Sequence, residues 1–550
     1  PPFAEPISPN VHPLMWRTVN LIGMAMAQAL EERGQTGAYH MGNGFDNWYP
    51  GFMDHANNFH NVASLLTETA LYRYATPHFY TIDDIDFTGI GMPAMLLDMK
   101  QVEIYKGPQS SVYGSNSMAG LISMESNDPV PYFEGSAFFG LGSDFVQYGT
   151  VMNTPINKNI NYRMAILYSL GKGFRENTYQ DDPYTNRRTE LLYRGKVKWI
   201  PTSNLSFTLS GIISDQDNGY DVWSPDNDKD LIVISDEPGK DSQRTTAFSL
   251  KTLAKNISIF DMLYIASYSN NDIETTFDGD WANDDYWDEY FSFDPDIEGY
   301  RWSFLEKSYR TRETFTNEVR LMNKNKLLSK TNYTVGIYTK NMTETDSANG
   351  YLMGGDISEL EAKFKHFNIA GYIEFSHYLS DKIKFNTNIR VEKNNIDYTG
   401  YTLGEDANYL PFEDSFQEKK DDILTGIKSS LSYKTNLGNI VFLSISRGYK
   451  PGGINQHPSI SSKKRFYDSE YNVNTEIGYK VFKDKFNHSL TIFNMSRENQ
   501  QVQHSVQSAN NPIAYSYFTA NASSGYNYGL ELDTKYLLTK NLLLRQNRCI

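Results

Sequence analysis

From about Tyr132 onward, apolar and polar residues alternate with a period of two. Leu191, Tyr193, Gly195, Val197 and Trp199 interleave with Leu192, Arg194, Lys196 and Lys198. Pro201 to Asn204 supplies a turn. Leu205, Phe207, Leu209, Gly211 and Ile213 then alternate with Ser206, Thr208, Ser210 and Ile212. Neighbouring side chains of a strand point to opposite faces, so this spacing predicts a hairpin with one largely apolar face. The pattern returns at Phe367, Ile369, Gly371, Ile373 and Phe375, turns at Ser380 to Lys382, and resumes at Ile383, Phe385, Thr387, Ile389 and Val391. It returns again over Tyr471 to Val481. Common globular strands run for about 5–6 residues. These runs are longer, nearer the roughly 9–11 residues that cross a bilayer.

The connections alternate too. Short turns at 201–204 and 380–382 contrast with long polar stretches near 215–241, 271–311, 343–362 and 396–421. Short turns on one side of a membrane and long loops on the other give this asymmetry, and a soluble sandwich does not. No fixed repeat period is present. The expected fold is mainly β: a large antiparallel transmembrane barrel over residues 131–550.

Two regions depart from the alternation. Pro13 to Arg33 carries apolar residues at helical spacing, opens on a proline and closes before Gly34, so it reads as a mostly buried helix. In Val102 to Met124, Val102 to Tyr105 reads as a strand, Lys106-Gly107-Pro108 breaks it, Gln109 to Tyr113 suits a helical turn, and Leu121 to Met124 is a strand again. Met92 to Asp98 is a short helix candidate with Pro93 in its first turn.

Composition fits a barrel that is apolar outside, polar inside and ringed by aromatics. Hydrophobic residues are only 39% while aromatics reach 14%, and the mean hydropathy is -0.54. No run of apolar residues is long enough for a membrane helix. A net charge of -15 argues against a nucleic-acid partner. The one cysteine, Cys549, forms no internal disulfide. Pro1 to Glu5 has neither a basic start nor an apolar core, so the expectation is a processed chain or a start lying upstream.

The stretch VEIYKGPQSSVYGSNSMAGLISM, with Gly107, Pro108, Tyr113, Gly114 and Gly120, resembles the end of the plug domain of TonB-dependent outer-membrane receptors. Asp83 to Gly89 resembles the plug strand before it, and Arg447-Gly448-Tyr449-Lys450-Pro451-Gly452-Gly453 a recurrent motif of their barrels. There Gly452 and Gly453 are expected to bend the chain and Tyr449 to anchor at the membrane interface. The resemblance spans about 82–546 and assigns 81–130 to the C-terminal part of an α/β plug. It implies an outer-membrane receptor of a Gram-negative bacterium for a scarce solute, such as a ferric siderophore, cobalamin or another metal chelate. Lipid, lipopolysaccharide and the TonB complex are its implied partners, and no cofactor. No TonB box is visible. The ending Arg545 to Ile550 does not look like a closing strand. Large plugged transporters have about 22 strands, against about 17 or 18 strand-like runs here. An incomplete barrel with two open edges and impaired uptake is the expectation.

Residues 1–80 resemble the C-terminal part of zinc carboxypeptidases of the M14 type, with Trp48-Tyr49-Pro50 and Leu65 to Pro77 as the matching words. The resemblance implies a small α/β fragment fused ahead of the receptor segment. It implies Glu68 as general base and Tyr49 as a candidate substrate cap; a carboxylate suits a base that takes a proton from metal-polarised water. A metallocarboxypeptidase is therefore the alternative function. The family's zinc ligands are not visible, and His12, His40, His55, His60 and His78 do not recreate their spacing. No peptidase activity is expected, and zinc only if that domain were complete. No Gly-x-Ser-x-Gly or His-Glu-x-x-His appears. Trp281, Tyr286 and Trp287, in the longest acidic loop, are candidate ligand contacts by stacking. The loop's carboxylates match no calcium-binding spacing.

Overall fold

The computed structural model describes residues 79–549 apart from 92–95, 116, 119, 222, 226–229, 293, 299–303, 324–329, 353–356, 406–409, 458–459, 508–514 and 540–541. The expected helix at Pro13 to Arg33 lies outside the described residues, as do Tyr49, Glu68 and all the carboxypeptidase-like words. The helix expected at Met92 to Asp98 lies partly outside them; Leu96 to Asp98 are not helical.

Seventeen strands among the described residues form one ring, from Glu134–Leu141 to Leu542–Cys549. Every registered pair of neighbours in it is antiparallel. The predicted hairpins form with their apolar positions opposite each other: Leu209 faces Val197, and Ile373 faces Ile389. Those positions point outward. The alternate positions point into the ring, where Leu192, Arg194 and Lys196 are buried.

Two expectations are corrected. The ring is closed, not open at two edges, and Leu542–Cys549, which did not read as a closing strand, lies beside Glu134–Leu141. Backbone pairing and sheet coiling close a ring whatever the last side chains are, and closure removes the unpaired edges. With an odd number of alternating strands, these two run the same way. Secondly, 343–362 and 396–421 are not long loops. The strands Thr331–Leu352, Ile357–Tyr378, Ile383–Glu405 and Pro411–Lys434 have 22, 22, 23 and 24 residues.

These strands are about twice the length a bilayer needs, and their two faces exchange character along the way. Near the short turns, Ile369, Ile373, Ile389 and Val391 point outward and are exposed, while Asn368, Arg390 and Glu392 point inward. Further along, Glu359, Glu361, Lys363 and Lys365 take the outward positions, while Leu360, Ala362, Ile396 and Tyr398 are buried inside. Outward charge in the far half reads as loop when polarity is averaged, yet the period of two persists. The other two expected loops, 215–241 and 271–311, are shorter than expected: strands run to Gly219 and Asp278 and resume at Lys240 and Leu305, and the second connection holds a helix at Asp284–Phe291 capped by Asn283.

A second sheet sits inside the ring. It comprises β1 (Phe79–Ile82), β2 (Ile85–Asp86), β3 (Met99–Lys106) and β4 (Gly120–Ser126), in the order β2-β1-β4-β3. β1 runs parallel to β4, and the other pairs are antiparallel. A four-residue helix, Ser110–Tyr113, lies between β3 and β4. Val102 to Met124 thus folds as strand, helical turn and strand. Tyr80, Ile82, Ile85, Phe87 and Met124 pack on inward side chains of the ring, Leu167, Leu192, Ile212 and Ala247.

Candidate functional site

The hairpin of β1 and β2 turns on Asp83 and Asp84, both in the left-handed region with φ of 50° and 66°. Such a two-residue turn suits the twist of a tight hairpin, and aspartate tolerates that backbone better than most residues. The turn aims both carboxylates at the ring. Lys196 Nζ donates to Asp83 Oδ1 at 3.0 Å, and Lys251 Nζ to Asp84 Oδ2 at 2.7 Å. Ser126 donates to Asp83 through its amide and its hydroxyl. Lys340 Nζ donates to Asp86 Oδ2 at 2.6 Å. On another side of the sheet, Arg163 grips Asp98 with two bonds of 2.6 Å. The planar guanidinium matches a carboxylate in that fork. Arg312 donates to the Thr88 carbonyl and Arg194 to that of Leu97. Polarity reverses where Lys106 at the end of β3 meets Glu531 at 2.9 Å.

The helical turn between β3 and β4 has its own seat. Gly107 and Gly114 have φ of 71° and 87°. A Cβ on Gly114 would lie 2.7 Å from the Arg390 guanidinium and 2.8 Å from the Glu392 carboxylate, so only glycine fits. Arg390 and Glu392 are each 1% exposed, and Arg390 Nε donates to Glu392 Oε2 at 3.0 Å. Tyr449 donates its hydroxyl to the same oxygen at 3.0 Å, and its backbone meets Ser110 Oγ. Tyr449 therefore faces inward. The expected membrane anchor is corrected: its hydroxyl finds an acceptor in the lumen, which a buried phenol requires. Gly448 lies against Pro108, so the two receptor-like words touch.

The inner sheet leaves space beside it. A cavity of about 610 Å³ runs between β1–β4 and the ring, lined by Asp83, Asp84, Glu103, Lys196, Lys198 and Lys251, among others. Met124, Leu253, Leu263 and Met322 share its wall with these charged side chains, so it is polar on part of its surface only.

Trp281 stacks on Trp223 with centroids 5.6 Å apart and borders a cleft with Tyr220, Asp221 and Asp278. Tyr286 and Trp287 sit on the Asp284–Phe291 helix and pack on each other at 5.2 Å. Neither lines that cleft, so the structure does not join the three candidates in one pocket. Among the described residues no group of three or more His, Cys, Asp or Glu side chains is placed to hold a metal. Gly107, Pro108, Tyr113, Gly114 and Gly120 all lie in or beside the inner sheet, and Gly120 meets the Tyr105 carbonyl. The ring cations Arg163, Lys196, Lys251, Lys340 and Arg390 did not stand out in the sequence. Their one signal was a charge on every second position of an apolar strand, as at Arg194 and Lys196.

The family model "TonB dependent receptor-like, beta-barrel" matches residues 126–547. Among solved structures, the ferric yersiniabactin uptake receptor FyuA of Yersinia pestis aligns with a TM-score of 0.68 and 14% identity, over 86% of this chain and 70% of that one. The siderophore receptor PiuA of Acinetobacter baumannii aligns at 0.64 and 15%, over 86% and 73%. The ferric-catecholate import receptor Fiu of E. coli K12, in its closed form, aligns at 0.62 and 15%, over 82% and 70%. These identities speak for the fold. The chain belongs to the TonB dependent receptor-like β-barrel family, and its ring is a wall in the outer membrane of a Gram-negative cell.

Proposed function

We propose that this chain is an uptake receptor in which β1–β4 and their connections act as a plug, part of the 81–130 region. The solute is a scarce metal chelate, of the ferric siderophore or cobalamin kind, and the inner-membrane TonB complex is the partner that moves the plug. The observation that carries this reading is the ionic fastening of the inner sheet: Asp83 to Lys196, Asp84 to Lys251, Asp86 to Lys340 and Asp98 to Arg163. A buried ion pair fixes position well but adds little net stability, because desolvation offsets most of the attraction. An interface of that kind can be parted and rewetted, as a movable stopper requires. The adjoining cavity supports the reading, because it leaves room beside the charged side chains of Asp83, Asp84, Lys196 and Lys251. Solute passes unchanged, so no catalytic step is involved. The ferric yersiniabactin, siderophore and ferric-catecholate uptake of FyuA, PiuA and Fiu supports the choice of solute class.

The test is binding to the purified protein in detergent, read by tryptophan fluorescence across a panel of ferric chelates and cobalamins. Saturable binding of at least one member is expected. A flat response to the whole panel overturns the reading. The carboxypeptidase alternative rests on Glu68 by resemblance alone and is not proposed.

A further inference from the structure

At the end of the ring away from the short turns, three connections are tied to one another: 172–187, 220–239 and 279–304. Glu176–Asn177 pairs in parallel with Ile232–Val233. The side-chain amides of Asn177 and Gln180 donate to the Ser235 carbonyl at 2.9 and 3.1 Å. From the third connection, Asn283 donates to the Ile234 carbonyl at 2.6 Å. The Asp236 amide donates to the Ala282 carbonyl at 2.9 Å. Residues 232–236 thus form a strap held from both sides.

The strap meets the ring where Ser235 touches Asp278, the last residue of its strand; the two are 2% and 5% exposed. Ser235 Oγ lies within hydrogen-bond distance of the Glu237 carbonyl, at 2.8 Å, and of Asp278 Oδ2. A serine hydroxyl has one proton to give, and a carbonyl oxygen has none. If the serine proton serves Glu237, the bond to Asp278 needs a proton on the carboxyl itself. Only a protonated Asp278 satisfies all three groups. Its surroundings favour that state. Asp278 faces Ser235 and Asp280. Asp236 faces Asp280, Glu237 and Asp284. Asp221 faces Thr185, Asn177, Gly239 and Asp182. Among the described residues no cation pairs with Asp221, Asp236 or Asp278, and Arg187 is held by Asp182 at 3.3 Å. Burial and the charge of Asp280 lift the Asp278 carboxyl from 3.8 to about 7, against the hydrogen bond from Ser235.

We propose that the three connections form one proton-operated strap on the rim: a proton on Asp278 fastens it, and loss of that proton to water releases residues 232–236 from the ring. The fastened state is a relay in which Asp278 donates to Ser235 and Ser235 to the Glu237 carbonyl. Without the carboxyl proton, the serine proton serves either the carboxylate or the carbonyl, and the other is left buried without a donor, which is costly. Asp280 repels the new charge as well. A raised acid holds its proton more tightly in the fastened state, so fastening is strongest below about 4 and is lost as pH climbs to about 7. The rim is therefore tied in acid and loose near neutrality. This holds whatever solute is carried, and stands or falls apart from the uptake reading.

The test is hydrogen exchange of the full chain in detergent with a chelator present, each rate corrected for the intrinsic effect of pH. The amides to read are Thr178 and Asp236, which donate to Val233 and Ala282 across the joined connections. Between pH 6 and 7, where Asp236 has largely titrated, their protection is expected to fall roughly fivefold in the natural chain. Asp278→Asn, whose amide donates to Ser235 as the acid does, is expected to hold protection level over that interval. Asp236→Asn is expected to keep the fall. Ser235→Ala, which removes the relay, is expected to be loose at both pH values. Ring amides of Ile383–Glu405 should stay unchanged throughout, which separates release of the strap from general loosening. Level protection in the natural chain overturns the proposal, and so does an equal fall in Asp278→Asn. Natural protection in Ser235→Ala at pH 6 overturns it too, independently of how Asp278→Asn folds.

Discussion

Asp83 and Lys196 carry opposite charges where water barely reaches: their side chains are 2% and 6% exposed. Lys196→Met would leave the carboxylate buried without its cation. That is expected to cost roughly 3–5 kcal/mol of inner-sheet docking. Lys251→Met breaks a pair whose side chains are 38% and 33% exposed, where about 0–1 kcal/mol is at stake. Limited proteolysis between Phe79 and Ser126 should separate the two: faster cleavage for Lys196→Met, near-natural rates for Lys251→Met. The glycines make a similar contrast. Gly114→Ala adds a methyl against Arg390 and Glu392 at a left-handed φ; a loss of about 1–3 kcal/mol is expected. Gly371→Ala meets nothing within 4 Å and should leave the thermal midpoint unmoved.

At the scale of elements, the long strands are divided by what lies outside them. Ile369→Arg places a charge in the lipid-facing belt and should cost about 2–4 kcal/mol in folding into vesicles. Glu361→Arg, on the same strand and the same outward face but beyond the belt, should fold as well as the natural chain. Equal costs would show that the belt has been drawn in the wrong place. The loop at 220–239 carries a pH dependence. Burial, then the charges of Asp280, Glu237 and Asp284, push the Asp236 carboxyl from 3.8 up to about 6. Burial likewise raises Asp221, against hydrogen bonds from Thr185 and Gly239. A raised acid binds its proton more tightly when folded, so its contribution is most favourable at low pH and is lost as pH rises. The window runs from about 4 to about 6 for Asp236. The emission of the stacked Trp223 and Trp281 should therefore report a looser loop as pH rises through that range. Asp236→Asn should flatten the change.

For the whole molecule, the ring and its contents are held by different forces. Neighbouring ring strands share ladders such as the one from Ile383–Tyr433 to Glu405–Pro411, and closure leaves no edge from which to unzip. The inner sheet depends on one apolar patch and a set of ion pairs. Hydrogen exchange should show β1–β4 amides opening together before those of the ring. Simultaneous exchange would mean that stopper and wall form one cooperative unit, and release without unfolding the wall would then be excluded.

The chain's own pattern determined the strand period, the hairpin registers, which positions face out in the belt, and the strand-turn-strand of Val102 to Met124. Each of these is local: alternation fixes a face, and Gly107 with Pro108 fixes a break. Averaged polarity misled at 343–362 and 396–421, because outward charge and inward apolarity there reverse the belt's arrangement without changing its period. Ring closure, the inward aim of Tyr449, the meeting of Gly114 with Arg390, and the pairing of Asp83 with a lysine more than a hundred residues away were decided by tertiary structure. They depend on how strands remote in sequence curve around a common axis, and no spacing along the chain encodes which charge will stand across the lumen from which.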